Sequence, residues 1–512
     1  MNQPPTTAAW KRYEAGKEYK RRIGLYETVR RNEKFYCGDQ WSGADNGLPR
    51  PVFNIVRRII DYLIGAVAPK ELTVHYTDDR LPFLDNSVLR DSVNAGLELL
   101  NKNAAYRWTH GRIDELSGRA LLDAALTGDG IFYCRWDNSC RCGQPFCGDI
   151  RTDLVRNTGY YPADPTLDDV QSQDWIILSG RASVESLRRE AEEAGMSHEE
   201  AMKILPDSEP EDGVAPTDNG DGKATYLLCF RREDGEIIYE KSTRTHLLRR
   251  AETGLRYYPI ARFHWTPVQG SCHGSAPATE MIPNQRYINA AYAMVMKHMT
   301  DTAFSKVIYD KSRIPEWSNE VGEAIAAMGG GNVSDAVSVV GVGKLESGYL
   351  GLIESVIENT KSMMGATDSA LGDEAANNTS AILALQQASH IGLAQVIARF
   401  NRCLGELAEI WADMLCTYSP RERLLPVREN GGVTAYSVDY RQLRNELLHA
   451  TAETGTVDRL TPSATVSLLD HLLDGGHITV RQYLEHLPDG CISDRNTLIR
   501  SLEKKGKDRT DE

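Results

Sequence analysis

At 512 residues the chain is too long for one hydrophobic core, and a soft prior of roughly 150 residues per domain suggests about three modules. Hydrophobic content of 41% with 25% charged residues excludes a wholly disordered or fibrous chain. The net charge of −14 argues against broad, sticky binding to nucleic acid, because that affinity comes from Lys and Arg neutralising phosphates.

No stretch approaches the roughly 18 consecutive apolar residues of a membrane span, and residues 1–20 are polar and charged without a secretory apolar core. Folding in the cytosol is expected. Most of the ten cysteines stand alone in apolar runs, as Cys229, Cys403 and Cys416 do, so disulfides are not expected.

In chain order, residues 1–30 carry Lys, Arg and Glu at helical spacing. Phe35-Tyr36-Cys37-Gly38-Asp39-Gln40-Trp41 then forms an aromatic cluster around a Gly-Asp turn. A loop over 42–51 precedes a helix marked by Phe53, Val56, Ile59, Ile60 and Leu63. Helical patterns follow over 85–102 and 108–126, the second stopped by Gly128-Asp129-Gly130.

Short aromatic or β-branched runs at 131–136, 175–178, 226–230 and 260–265 predict strands, so the middle third is mixed α+β. Residues 206–223 are acidic and rich in Gly and Pro, the composition of an exposed loop. Helical periodicity returns over 279–303 with Ile282, Ile288, Tyr292, Val295 and Met299 on one side, roughly 40 Å of helix.

Residues 304–342 read as an insertion between two helices: a strand at 306–309, a short helix at 321–328, Gly329-Gly330-Gly331, and a strand at 336–340. Helix resumes over 353–364 and breaks at Gly365, and 371–378 reads as a loop. The strongest periodicity, Leu393, Val396, Ile397, Phe400, Leu404, Leu407, Trp411 and Met414, predicts roughly 55 Å of helix over 380–416. Such a helix is either a plain core helix or one whose apolar stripe spreads over several neighbours, another subunit included. Strand-like pieces at 424–427 and 435–438 precede a tail, 441–500, expected to be helical.

Catalytic signatures are missing. Gly341-Val342-Gly343-Lys344 is followed by Leu345 rather than Ser or Thr, and Ser338 stands where a phosphate-binding loop needs Gly. His198-Glu199-Glu200 lacks the second histidine of a zinc-hydrolase helix, and no Gly-x-Ser-x-Gly elbow occurs. Cys134, Cys140, Cys142 and Cys147 could surround zinc in principle, but no Cys-x2-Cys pair is among them, and a hairpin with incidental thiols is favoured. The helices on either side of Gly475-Gly476 have the outline of a helix-turn-helix, yet Arg481 is accompanied by Glu485 and the tail is not basic, which favours a plain helical hairpin.

Four stretches together resemble bacteriophage portal proteins, also called head-to-tail connectors. The most specific is the aromatic Gly-Asp-Gln-Trp opening with Pro49-Arg50-Pro51-Val52-Phe53-Asn54 and Ile59-Ile60-Asp61. The others are Tyr161-Pro162-Ala163-Asp164-Pro165 with Asp174-Trp175; Gly274-Ser275-Ala276 leading into Ile282-Pro283-Asn284-Gln285 and Ile288-Asn289; and Asn377-Asn378-Thr379-Ser380-Ala381-Ile382.

The resemblance implies an α+β, predominantly helical fold with wing, stem, clip and crown, assembled as a ring expected to be a dodecamer. It divides the chain into N-terminal helices and wing (1–275), a stem helix (276–303), a clip (304–343), a second stem helix (344–370), a channel loop (371–379), a long wing helix with strands (380–440), and a helical crown and tail (441–512). It implies no enzyme activity and no cofactor. The partners it implies are the terminase large subunit, head-tail adaptor or tail proteins, the major capsid and scaffolding proteins, and double-stranded DNA in the channel, with no membrane. The place it implies is the portal vertex of a virion assembled in the host bacterial cytoplasm. In the channel loop Asp373 and Glu374 would repel phosphates while Asn377 and Asn378 offer weak, exchangeable hydrogen bonds, so DNA is guided and not gripped. The alternatives are a metal-dependent nuclease built from scattered Asp and Glu, and a DNA-binding regulator using the C-terminal helical pair.

Overall fold

The computed structural model describes residues 6–43, 47–69, 72–83, 87–141, 144–207, 222–302, 306–318, 325–340, 348–366, 379–419, 422–429, 432–443, 448–454, 462–487 and 498. Helix outweighs strand, 49% to 22%, which agrees with the expected α+β, predominantly helical class.

Helix α1 (Ala8–Arg22) begins at Thr7, whose hydroxyl accepts the Trp10 N–H at 3.3 Å. Helix α2 (Leu25–Cys37) ends at Gly38, held at φ 92°, whose N–H returns to the carbonyls of Lys34 and Phe35. The aromatic cluster is therefore divided: Phe35, Tyr36 and Cys37 finish a helix, and Gln40 turns inward and is buried. Helix α3 (Ile55–Val67) is capped by Asn54, which accepts from Arg57 N at 3.1 Å, and it buries Val56, Ile59, Ile60, Leu63 and Val67.

Strand β1 (Leu72–Asp78) buries every second residue. Helix α4 (Ser87–His110) is longer than its sequence pattern suggested, and α5 (Ile113–Thr127) starts later and is shorter. The break falls at Gly111 and Arg112, where Arg112 is left-handed at φ 54° and a Cβ on Gly111 would stand 2.6 Å from the Arg107 carbonyl.

Two antiparallel sheets follow. Strands β2 (Asp129–Asp137) and β3 (Asp149–Val155) begin the first, and β4 (Tyr160–Pro162) and β5 (Trp175–Ser183) the second. Helices α6 (Val184–Glu193) and α7 (His198–Ala201) then bury Val184, Leu187, Ala191 and Ala201 in a small satellite core. Strands β6 (Lys223–Glu233), β7 (Glu236–Ser242), β8 (Leu247–Glu252) and β9 (Ile260–His264) complete the orders β3-β2-β9 and β4-β5-β6-β7-β8.

Helix α8 (Pro277–Thr302) leaves this body and α9 (Gly348–Met363) returns to it. Between them β10 (Lys306–Tyr309) pairs antiparallel with β11 (Val337–Val340), so the segment read as an insertion does close on itself. The short helix expected at 321–328 is not found over 325–328, which are irregular; its earlier residues lie outside the described ones.

Helix α10 (Thr379–Tyr418) spans 40 residues. From Phe400 to Cys416 it is buried on nearly every side, against β9, β2 and a later strand at 448–454. This half is a core helix of its own chain, so an apolar stripe waiting for another subunit is not what it carries. Strands β12 (Arg423–Glu429) and β13 (Gly432–Val438) form a hairpin.

Strand β14 (Leu448–Thr454) corrects the expectation of an entirely helical tail: it pairs antiparallel with β1, Leu72 opposite Thr454. Its partner lies about 376 residues upstream, a separation no local pattern can encode. Helices α11 (Pro462–Asp474) and α12 (Val480–His486) form a hairpin, joined by the Tyr483 hydroxyl donating to Asp470 at 2.8 Å.

Candidate functional site

Three of the four quoted sequence stretches meet where α8 leaves the body. The first contact is a run of buried side-chain amides. Gln285, on α8, accepts the backbone N–H groups of Ile55 (2.9 Å) and Val56 (3.3 Å), which open α3, and donates to Phe53 O (2.8 Å) and to Asn289 Oδ1 (2.9 Å). Asn289 in turn donates to Gln40 Oε1 at 2.7 Å, and Gln40 donates to Phe35 O at 2.9 Å. The Gly-Asp-Gln-Trp opening thus turns its glutamine inward to meet the Asn-Gln pair of α8, and one orphan end of α3 is satisfied by a neighbouring helix.

A second contact is ionic and deeper. Asp129, which opens β2, is completely buried and receives His264 Nδ1 (2.6 Å), His273 Nδ1 (2.9 Å), the Gly274 N–H (2.8 Å) and Asn157 Nδ2 (3.3 Å). Burial works against its charge, but the two histidines hold the carboxyl far below the usual carboxylate range. Gly128 and Gly274 cross here backbone to backbone: a Cβ on Gly128 would stand 2.1 Å from the Gly274 carbonyl. Asn32 of α2 donates to Leu126 O and Thr279 Oγ1, both at 2.8 Å, fastening α5 and α8 to the N-terminal helices.

The third contact is the Asp-Pro turn between β4 and β5. Asp164 Oδ1 accepts the Thr166 N–H, and Gln173, itself buried, both accepts from Asp164 N (2.8 Å) and donates to Asp164 O (3.0 Å). Buried Lys20 of α1 donates to Asn157 O (2.6 Å) and Thr158 O (3.0 Å), just before β4. Sequence reasoning missed Lys20, Asp129, Arg262, His264 and His273. The available signal was ionisable residues standing inside apolar runs such as Ile260-Ala261-Arg262-Phe263-His264-Trp265.

Beyond this root, α8 and α9 pack through Ile288, Ala291 and Ile353, flanked by Tyr292, Val295, Val356 and Ile357, and Asn284 donates to Thr360 Oγ1 at 3.0 Å. The same helices also expose apolar side chains: Tyr287 and Met294 on α8 and Leu352 and Met363 on α9 lie to one flank of this seam, and Met299, Tyr349 and Leu350 lie along the seam's own face but are exposed.

The channel-loop residues Asp373, Glu374, Asn377 and Asn378 lie outside the described residues, as do Gly341, Val342, Gly343 and Lys344. Cys142 lies outside them as well. Cys134 is buried in β2 beside Thr152, its thiol pushed up to about 12 by burial, whereas Cys147 is exposed. Among the described residues no group of three or more His, Cys, Asp and Glu side chains could hold a metal ion. Nor, among them, is any helix long and apolar enough to cross a membrane.

Comparison with known families finds the chain similar to the bacteriophage portal proteins, the class that its sequence resembled. In particular, residues 230–458 match the family model of the phage P22-like portal protein. The matched segment runs from β6 to just beyond β14, so it contains α8, α9 and α10 and leaves the N-terminal motifs outside. A search of curated proteins gave no match.

Proposed function

We propose that the chain is one subunit of a portal ring through which DNA enters and leaves a phage capsid, and that it carries out no covalent chemistry. The observation that carries this reading is the two-sided apolar character of the α8–α9 pair. One side forms the seam within the subunit. On another flank Met294 is 59%, Leu352 50% and Met363 75% exposed, and exposed apolar side chains grouped along one pair of helices are the kind of surface that marks an interaction site. Copies arranged head to tail around a closed ring would cover them. Each large apolar side chain so buried stabilises the assembly by about 1.5–3 kcal/mol.

In this reading α8 and α9 are the stem and the β10–β11 unit is the clip, facing the terminase during packaging and adaptor or tail proteins afterwards. Exposed Ile308, Met328 and Val333 lie in that unit. The segment 371–379 is the channel loop, with Asp373 and Glu374 repelling the duplex and Asn377 and Asn378 touching it lightly. The crown is the helical part beyond β14, and capsid and scaffolding proteins surround the body. The acidity of the whole chain suits a wall past which DNA slides, since each strong phosphate site would be a trap.

Electron microscopy of the purified protein tests the reading: rings with a central hole are expected. The double variant Met294→Glu, Leu352→Glu should keep the far-ultraviolet dichroism of the wild type and form no rings. A wild-type chain that remains a compact monomer at high concentration would refute the proposal.

A further inference from the structure

His264 stands between two carboxylates. Its Nδ1 lies 2.6 Å from Asp129 Oδ1 and its Nε2 lies 2.5 Å from Asp168 Oδ1. Ionised carboxylates only accept, so both ring nitrogens donate and the ring is an imidazolium. Asp168 belongs to the turn between β4 and β5; Gln173 and the buried Val170 hold this turn at its base, and few bonds reach from it to the residues that lead into α8. Pro165 O accepts the Cys272 N–H at 2.8 Å, and Asp168 takes Arg262 Nη2 on its carbonyl and, at 3.0 Å, on its carboxylate. Cys272, His273 and Gly274 lead directly into α8, and Arg262 Nη1 donates to Cys272 O at 2.7 Å. The turn therefore lies across the root of α8.

We propose that residues 163–170 form a strap over the root of α8, fastened by the charged form of His264 and loosened when that ring gives up its proton. This goes beyond the portal reading and does not depend on it. A neutral imidazole has one N–H, so one of the two carboxylates must lose its donor and meet a lone pair instead. Which one lets go follows from their surroundings. Asp129 is wholly buried and keeps three other donors, His273, Gly274 and Asn157, so it cannot reach water. Asp168 has a side chain 64% exposed and can turn out into solvent. The proton stays on Nδ1, and the strap loses its tie to His264 and is left with those to Arg262 and Cys272.

The charges facing His264 come from every element packed around it. Asp129 comes from β2, Asp168 from the strap, and Arg262 from β9 itself. Lys20 of α1 and His273 lie around Asp129, while Tyr160 of β4 and Glu406 of α10 face Arg262. Arg399 of α10 donates to the backbone carbonyls of His264 and Trp265. Burial of the ring opposes its charge, but the bonds to Asp129 and Asp168 outweigh it and raise the imidazole above its ordinary 6.5. The hydrogen bond from His264 keeps Asp168 below the usual carboxylate range, so it remains an acceptor. A base whose folded value is raised contributes stability that is complete below its unfolded value and lost as the pH climbs through the folded one. Loosening is therefore an alkaline event.

Hydrogen–deuterium exchange of the full-length protein, followed from about pH 6 to about pH 9 and corrected for the intrinsic pH dependence of exchange, reads the strap directly. Protection of peptides covering 163–174 should fall several-fold over this range while peptides from β6 stay protected. Asp168→Asn replaces a largely exposed side chain and removes the second carboxylate, so the pH step should vanish in that variant. His264→Gln, whose amide can donate from its nitrogen end only, should show weak protection at every pH. Strap protection that stays constant across the range, or that falls to the same extent in Asp168→Asn, would overturn the proposal.

Discussion

Gln285 shows how much one side chain can hold at the root of α8. It satisfies two backbone N–H groups at the start of α3 and one carbonyl, and it orients Asn289 toward Gln40. Gln285→Ala should leave these groups buried and unpaired, lowering the free energy of unfolding by about 1–3 kcal/mol in a denaturant titration. Gln285→Glu should be similarly costly, because a carboxylate cannot donate to Phe53 O. Lys20 gives a prediction in pH. Burial pushes its ammonium down to about 7, although two carbonyls accept its protons. A base whose folded value is depressed costs stability while it must stay protonated, so stability should rise as the pH climbs from about 7 toward the unfolded value of about 10.5. Lys20→Met should flatten that rise, measured as the slope of unfolding free energy against pH. An unchanged slope would mean that the amine keeps its proton through the hydrogen bonds it makes.

Among the elements, α10 and the β1–β14 ribbon depend on each other. A Cβ on Gly405 would stand 2.9 Å from the carbonyl of Ala450, so the strand lies directly on the helix at that point. Gly405→Val should push β14 away at a cost of about 1–3 kcal/mol. Its signature should be faster amide exchange in both 72–78 and 448–454, since each strand is the other's ladder partner. A change confined to α10 would show the ribbon to be independent of it. The helix itself was legible in sequence from its spacing, and so were α3, α8, the strands β5, β6 and β9, and the closed insertion between α8 and α9. The ribbon was not. Its two strands lie on different helices, β1 on α4 and β14 on α10, which are far apart along the chain.

For the whole molecule, the exposed apolar sides of α8 and α9 and the acidic composition together determine how it would work as a ring. As a ring it would draw on apolar burial between copies, and its channel would avoid attraction to phosphate. Replacing both Asp373 and Glu374 with Lys should therefore slow or stall packaging, scored as filled heads per particle, because cations facing the duplex would grip it. Packaging at the wild-type rate would remove these two residues from the channel wall. Because residues 371–378 carry no apolar periodicity, only their charge and polarity could be argued from the sequence.

The sequence alone determined the elements whose apolar residues repeat at a helical or strand period, the lack of nucleotide-binding and hydrolase signatures, and the resemblance to portal proteins, because each of these is written in residues close together along the chain. Tertiary structure decided which of those elements is a finished core and which keeps apolar side chains exposed, and it decided where polar side chains go. Gln40 meets Asn289, His264 meets Asp129 and Asp168, and β14 meets β1 only across long sequence separations, where the energy that selects a partner is the cost of leaving a buried donor or acceptor unmatched. That cost exists only after the chain has closed around the group, so no local pattern records it.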